Sequence, residues 1–322
     1  MSSIFHHRQL VSLTGAIALL ILGYAGFAAA AEKVTFGTPG FLSDNSLAIK
    51  VAIDKGFYKE AGVEAEIVNF KGGAPAIQAL VGNGIQYAIA APEHVVRLRN
   101  RGVPGVVAIA LQNSQSYALL VPDASPVKTF ADLKGQRVGI TSSGSLTESL
   151  ITLRAKANNL SIGKDVEIIG AGVGAAQKAA LDTQRIAAGM FSNTDALQMV
   201  GNGYRIVYDW RTEQSPALAL VAVDDWQKKN PELAKGVITA TLKAQQLLLK
   251  DRDLRVSSLK AIFPDLTDDV IQKDADLLPK VLVADGIFKQ ADFDKLQKEL
   301  QSIEPELKPI DYAIGNPATY LK

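Results

Sequence analysis

Two short segments of this chain place hydroxyls and free backbone N–H groups where a small ion could sit. Thr141-Ser142-Ser143-Gly144-Ser145 closes a strand-like run and opens a helical pattern near Leu146, so hydroxyls, unbonded N–H groups and the positive end of a helix dipole converge. A carboxylate, a sulfonate or nitrate suits such a point. The same residues form a capping box with Glu148, and capping and ligand binding can coexist. Ser43-Asp44-Asn45-Ser46 is the corresponding earlier turn, where Asn45 or Ser46 can bond a ligand and Asp44 can either pair with an amine or cap a helix. Gly170-Ala171-Gly172-Val173-Gly174-Ala175 formally matches the dinucleotide pattern, but its acid, Asp195, falls at a helix start and not at a strand end. The segment, Gly174 included, reads instead as a glycine loop beside a ligand, and Gly72-Gly73 reads likewise. Ala91-Pro92-Glu93-His94 and Phe191-Ser192-Asn193-Thr194 both follow strand-like runs. Ser192 and Asn193 are favoured there over Glu93, because a glutamate in a first helical turn ordinarily answers the helix dipole. Trp210 can stack on an organic ligand and Arg211 can neutralise an anion, with packing near a hinge as the alternative for both.

Composition narrows the chemistry. The 322 residues include no cysteine, which removes thiol nucleophiles, disulfides, iron–sulfur ligation and Cys-rich zinc sites. Three histidines are present, two of them His6 and His7. No catalytic residue, metal ligand or cofactor is therefore expected. Lys plus Arg number 34 against 33 for Asp plus Glu, so there is no overall field to gather a nucleic acid. His6, His7 and Arg8 precede an apolar run from Val11 to Phe27 and the small residues Ala28 to Ala31. Residues 1–31 are accordingly expected to be a secretory signal peptide, with Glu32 opening the exported protein and His94 its single histidine. An uncleaved anchor is the alternative, because Val11 to Ala31 is just long enough to span a bilayer.

Stepping along the exported part, short β-branched runs alternate with amphipathic segments, the pattern of parallel strands joined by crossover helices. Strands are expected at 34–38, 64–70, 86–90 and 106–111, and again at 137–141, 166–170, 187–191 and 205–208. A shift of 101 residues superposes the halves: Glu66-Ile67 meets Glu167-Ile168, Gly73-Ala74 meets Gly174-Ala175, Ala79-Leu80 meets Ala180-Leu181, and Ile85 meets Ile186. Two similar βαβ units would present their ligand-binding strand ends on comparable faces, and opposing those faces makes a cleft. Asn230-Pro231-Glu232 then starts a long helix, and further helices are expected at 254–263, 268–282 and 291–303, packed on the first sheet.

Asp54-Lys55-Gly56-Phe57-Tyr58-Lys59-Glu60-Ala61-Gly62-Val63 resembles the segment joining the first helix to the second strand in solute-binding proteins of the nitrate/sulfonate/taurine type. Ala131-Asp132-Leu133-Lys134-Gly135-Gln136-Arg137-Val138-Gly139 resembles the opening of that family's second domain. The resemblance implies an α/β, bilobal type II periplasmic-binding fold: two mostly parallel sheets with flanking helices and a ligand cleft between the lobes. It places lobe one at 32–118 and 221–322 and lobe two at 119–220. It further implies a monomeric periplasmic protein that closes on a small anion and delivers it to an ABC transporter permease, without catalysis. The family's Gly-x-x-Asp before the third strand of each lobe is replaced here by Asn83-Gly84-Ile85-Gln86 and Gln184-Arg185-Ile186-Ala187, which separates the chain from the common pattern. An enzyme resembling thiamine-pyrimidine synthases, or a pyrimidine binder on the same fold, is the alternative; the enzyme would have to rely on His94.

Overall fold

The computed structural model describes residues 31–316, and the expected signal peptide lies outside them except for Ala31. The chain runs through β1 (Glu32–Thr38), α1 (Leu47–Asp54), α2 (Phe57–Glu60), β2 (Val63–Asn69), α3 (Gly73–Val81), β3 (Tyr87–Ala90), α4 (Glu93–Asn100) and β4 (Gly105–Ser114). It then crosses into β5 (Tyr117–Pro122), β6 (Gln136–Ile140), α5 (Leu146–Ala157), β7 (Val166–Gly170), α6 (Ala175–Asp182), β8 (Ala188–Ser192), α7 (Asn193–Met199) and β9 (Tyr204–Asp209). The return strand β10 (Gln214–Val223) leads into α8 (Asp224–Lys229), α9 (Pro231–Lys250), α10 (Arg252–Ile262), α11 (Asp268–Val281), α12 (Gln290–Ile303) and α13 (Tyr312–Gly315).

Two five-stranded sheets result, ordered β2-β1-β3-β10-β4 and β7-β6-β8-β5-β9. In each, four strands share a direction, and the fourth strand in the order opposes them: β10 is antiparallel to β3 and β4, and β5 is antiparallel to β8 and β9. That opposed strand is the one arriving from the other lobe. Tyr117 and Ala118, expected in lobe one, pair with Ser192 and Phe191 of the second sheet. Gln214 and Leu218 to Leu220, expected in lobe two, pair within the first.

The central strands are apolar on both faces because helices cover both. One face of the first sheet packs on α1, α9, α10 and α11 around Phe36, Tyr58, Ile109 and Leu248, and the other packs on α3, α4 and α12 around Ile77, Val95 and Phe293. The edge strand β2 instead alternates, leaving Glu64 and Glu66 exposed; charge at an edge discourages pairing with another chain. The Gly56-to-Gly62 segment has a structural reason for its letters. Gly56 and Gly62 both take positive φ, 73° and 72°, and the turns they allow bracket α2 so that Tyr58 is buried against Phe36, with its hydroxyl 2.7 Å from Thr241 Oγ1.

The 101-residue repeat is visible in three dimensions. Asn83 and Gln184, one repeat apart, are left-handed with φ of 58° and 57°. The repeated isoleucines each press on a glycine of the first strand of their lobe's βαβ unit, the two glycines being 102 residues apart: a Cβ on Gly37 would lie 2.5 Å from Ile85 Cδ1, and one on Gly139 would lie 2.4 Å from Ile186 Cδ1. The replaced aspartates have different fates. Gln86 Oε1 accepts from Thr35 N at 2.8 Å, so an amide carbonyl holds the backbone of β1. Ala187 offers no side-chain acceptor, and the second lobe keeps only the backbone bond from Ala187 N to Arg137 O at 2.8 Å.

Close packing at that glycine gives a first prediction. Gly139→Ala is expected to cost about 1–3 kcal/mol through overpacking. Combining it with Ile186→Val should recover part of the loss, read as a favourable coupling in a double-mutant cycle by urea unfolding.

Candidate functional site

A cavity of about 320 Å³ lies between the lobes. Lobe one walls it with the turn after β1, including Phe41, Ser43, Asn45 and Ser46, and with Phe263 at the end of α10. Lobe two contributes Tyr117, Gly174, Ser192, Thr194, Asp195 and Gln198. Five residues singled out in the sequence therefore meet here: Ser43, Asn45, Ser46, Gly174 and Ser192. Ser43 and Ser46 cap each other through Ser43 N to Ser46 Oγ at 2.9 Å, which fixes the turn and leaves Asn45 beside the cavity. Asn45 is buried and its Oδ1 has no hydrogen-bond partner. Gly174 at φ 53° lets the α6 entrance turn tightly beside Asp195. Ser192 Oγ donates to Asp195 Oδ2 at 2.7 Å.

Charge in this wall is one-sided. Neither lysine nor arginine lines the cavity, whereas Asp195 does, and Asp44 and Asp274 stand behind the wall. Burial raises the Asp195 carboxyl above its ordinary range despite the bonds from Ser192. Burial also drives the Tyr117 phenol upward, with Asp44 and Asp195 adding to it.

The remaining expected residues are distributed elsewhere. At the start of α5, Ser145 Oγ accepts from Ala74 N of the other lobe at 3.0 Å and lies 2.7 Å from Ser142 Oγ, while Gly144 N donates to Glu148 Oε2 at 2.6 Å. Opposite them is Gly72, at φ 122°, where a Cβ would come within 2.5 Å of Ser142 Oγ. The helix entrance expected to hold an anion thus closes against the glycine loop of lobe one. Ser143 and Gly144 border a separate groove with Arg97 and Arg101, and Gly73 packs near His94 and Ala90. Asn193 donates to Asp274 Oδ1 at 2.7 Å. Trp210 is buried in the second-lobe core against Phe130 and Tyr208 and borders a hollow near the crossover instead of the cavity at Asn45 and Asp195. Arg211 is committed to Asp209, with two bonds of 2.8 Å.

Glu93 joins the lobes. Its Oε1 accepts from Arg97 Nη1 at 2.7 Å and from Ser149 Oγ of α5 at 2.8 Å, while Arg97 Nη2 reaches Glu304 Oε1 at 2.5 Å. Burial pushes the Glu93 carboxyl up, but Arg97 and these hydrogen bonds outweigh it and leave it below its ordinary value. His94, next to it, is driven down to about 4 by burial. It is neutral at pH 7, a weak proton acceptor, and its Nε2 has no hydrogen-bond partner. Among the described residues no group of three or more metal-ligating side chains is assembled, and no helix is long and apolar enough to cross a membrane.

Residues that sequence reasoning missed include Phe41, Tyr117, Phe263 and Asp274. Asp274 had a legible signal: it interrupts the apolar stripe Val270, Ile271, Ala275 and Leu278 of α11. Phe263 had none, since it reaches the cavity from a distant helix end.

Two lobes exchanging a strand around a shared cavity define the fold as that of periplasmic binding proteins. A structure from Bordetella bronchiseptica superposes with a TM-score of 0.79 at 24% identity, covering 90% of this chain and 95% of the other. The periplasmic aliphatic sulphonate binding protein SsuA from Escherichia coli superposes with a TM-score of 0.67 at 18% identity, over 88% of this chain and 91% of that one. The chain belongs to the NMT1/THI5-like family, whose profile matches residues 43–253. A putative thiamine biosynthesis protein of Haemophilus influenzae is 27% identical over 140 residues, which is 44% of each chain; the match spans less than half of that relative.

The Glu93 network gives a second prediction. Glu93→Gln should cost about 1–3 kcal/mol of stability at neutral pH by stripping charge from a buried hydrogen-bonded pair. A carboxylate held low contributes above its unfolded pKa and stops contributing as pH falls through the lowered value. Wild type and variant should therefore converge in acid, which urea titrations across pH would show.

Proposed function

We propose that this protein captures a small organic solute by closing its two lobes around it and hands that solute to an ABC transporter permease, working as a periplasmic monomer. The cavity carries this reading: about 320 Å³, walled by both lobes, it is the size of a small-molecule site and can be complete only when the lobes meet. A ligand that touches both walls in the closed form alone favours that form by its differential affinity.

The lining chemistry favours a neutral or cationic solute with N–H donors. Asn45 Oδ1 is an acceptor without a donor, and Asp195 is a carboxylate in the wall. Phe41, Tyr117 and Phe263 add flat apolar surface. A pyrimidine is the alternative ligand considered from the sequence, and an aminopyrimidine combines such donors with a flat ring. The small anion first expected would meet no lysine or arginine side chain in this cavity. SsuA, named for sulphonate binding, shares the fold. Catalysis is not part of the proposal, because the buried neutral His94 is poorly suited to act as a base at pH 7.

The test is a thermal-melt screen of unfolded and refolded protein against aminopyrimidines, aliphatic amines, sulfonates and nitrate. A true ligand at a hundredfold excess over its Kd adds about 2.7 kcal/mol of stability. The expected hit is an amine or aminopyrimidine whose affinity falls roughly tenfold or more in Asp195→Asn, the loss of a charged hydrogen bond. A saturable shift from a sulfonate or nitrate, undiminished in that variant, would restore the anion reading.

A further inference from the structure

Behind the cavity wall the lobes meet through one hydroxyl and two carboxyls. Thr194 Oγ1, from lobe two, lies 2.6 Å from Asp274 Oδ2 and 3.3 Å from Asp44 Oδ1, both in lobe one. A threonine hydroxyl carries a single hydrogen and can donate to only one of them. The shorter contact takes it. The Asp44 contact is then oxygen against oxygen unless Asp44 brings a proton of its own.

Nothing nearby neutralises both acids. Asp44 and Asp274 are 5% and 0% exposed. Facing them are Asp195 and Tyr117 from lobe two and Arg211 from the connection to β10, and Arg211 already pairs with Asp209 and reaches Asn193 Oδ1 at 3.2 Å. A second observation is independent of the carboxyls. A void of about 30 Å³, bordered by Asp44 and Asp274, is also lined by Gln112, Gln115 and Ser116. These are 1%, 4% and 5% exposed, and Gln112 Oε1, Gln115 Oε1 and Ser116 Oγ have no hydrogen-bond partner. Asn193 and Arg211 border it as well, but Asn193 is held by Asp274 and Arg211 by Asp209, so two amide oxygens and one hydroxyl face the void unpaired.

We propose that Asp44 and Asp274 form a proton-binding site between the lobes, holding one proton in the chain Asp44 O–H to Thr194 Oγ1, Thr194 O–H to Asp274 carboxylate. Closure takes that proton from solvent onto Asp44, and opening returns it, with no other reactant. Burial, joined by the charge of Asp274, holds Asp44 well above the ordinary carboxylate range, and burial lifts Asp274 as well. An acid whose pKa is raised in the closed form favours that form fully below its open-state pKa. It loses this advantage as pH rises through the raised value, about tenfold in the closed-to-open ratio per pH unit for one proton. The inference rests on the two-lobe closure proposed above and not on the identity of the solute.

Infrared spectra and small-angle X-ray scattering of the purified protein test it, compared with Asp44→Asn and Thr194→Val. At neutral pH the wild type should show the carbonyl stretch of a protonated carboxyl, missing from Asp44→Asn. Its radius of gyration should grow between about pH 5 and about pH 8, the span in which a raised carboxyl titrates. Asp44→Asn, whose amide N–H replaces the proton, should stay compact throughout, and Thr194→Val, which removes the hydroxyl bond that lowers both carboxyls, should move the pH response upward even if the asparagine variant folds poorly. A wild-type radius independent of pH would overturn the proposal, as would an identical response in Asp44→Asn. Compaction that follows sodium chloride over choline chloride, and not pH, would overturn it in favour of a metal cation in the void. A failed solute screen would leave these readouts untouched, so the two proposals can fail separately.

Discussion

The exchange of one antiparallel strand between the sheets is the constraint from which the rest of the molecule follows. The ladder of β3 is continued by β10, which arrives from lobe two, and that of β8 by β5, which arrives from lobe one. Each sheet would otherwise expose an unpaired edge beside β4 or β9, so the two lobes cannot separate without breaking backbone hydrogen bonds in both. The connections between them are short, Gln115-Ser116 on one side and Trp210 to Glu213 on the other. Ser114, at the end of β4, holds the two together: its Oγ lies 3.2 Å from the carbonyl oxygens of Arg211 and Glu213.

Polar contacts join the lobes beside apolar ones such as Leu197 of α7 against the first-lobe core. They include the Ser145 loop against Ala74, the Glu93–Arg97–Ser149 cluster, and Asn193 and Thr194 against Asp274 and Asp44. Hydrogen-bonding groups exchange their partners for water at a small net cost, which is compatible with the opening and closing proposed above. The exception is the buried carboxyl pair, which water would solvate far better than the closed interface does. That imbalance makes this contact the one most sensitive to conditions.

Much of this was legible in the letters. The two βαβ units and the long helix from Pro231 to Lys250 follow from hydrophobic period and an N-terminal proline, both local properties of the backbone. The left-handed turns at Asn83 and Gln184, one repeat apart, emerged only in the structure. At the cavity, Ser43, Asn45, Gly174 and Ser192 were recognisable because strand ends and helix entrances present free polar groups wherever they occur. The same reasoning singled out Ser142 to Ser145, yet a helix entrance does not announce what will face it. Here it faces Gly72, a close approach that only a residue without Cβ allows.

By itself the sequence determined most of the strands and helices, the pairing of two similar halves and the absence of cysteine chemistry, because these depend on neighbours a few residues apart or on composition; the exchanged strands β5 and β10, whose partners lie in the other lobe, were not among the strands expected. The tertiary structure decided which polar groups share a cavity, and therefore its charge. Asp195, Asp44 and Asp274 come from three separate stretches of chain, and Arg211, which would have balanced them, is drawn away by Asp209 two residues earlier. Electrostatic character arises from distance in space between groups whose separation in sequence carries no information about it. The sign of this cavity could appear only once the lobes were folded against each other.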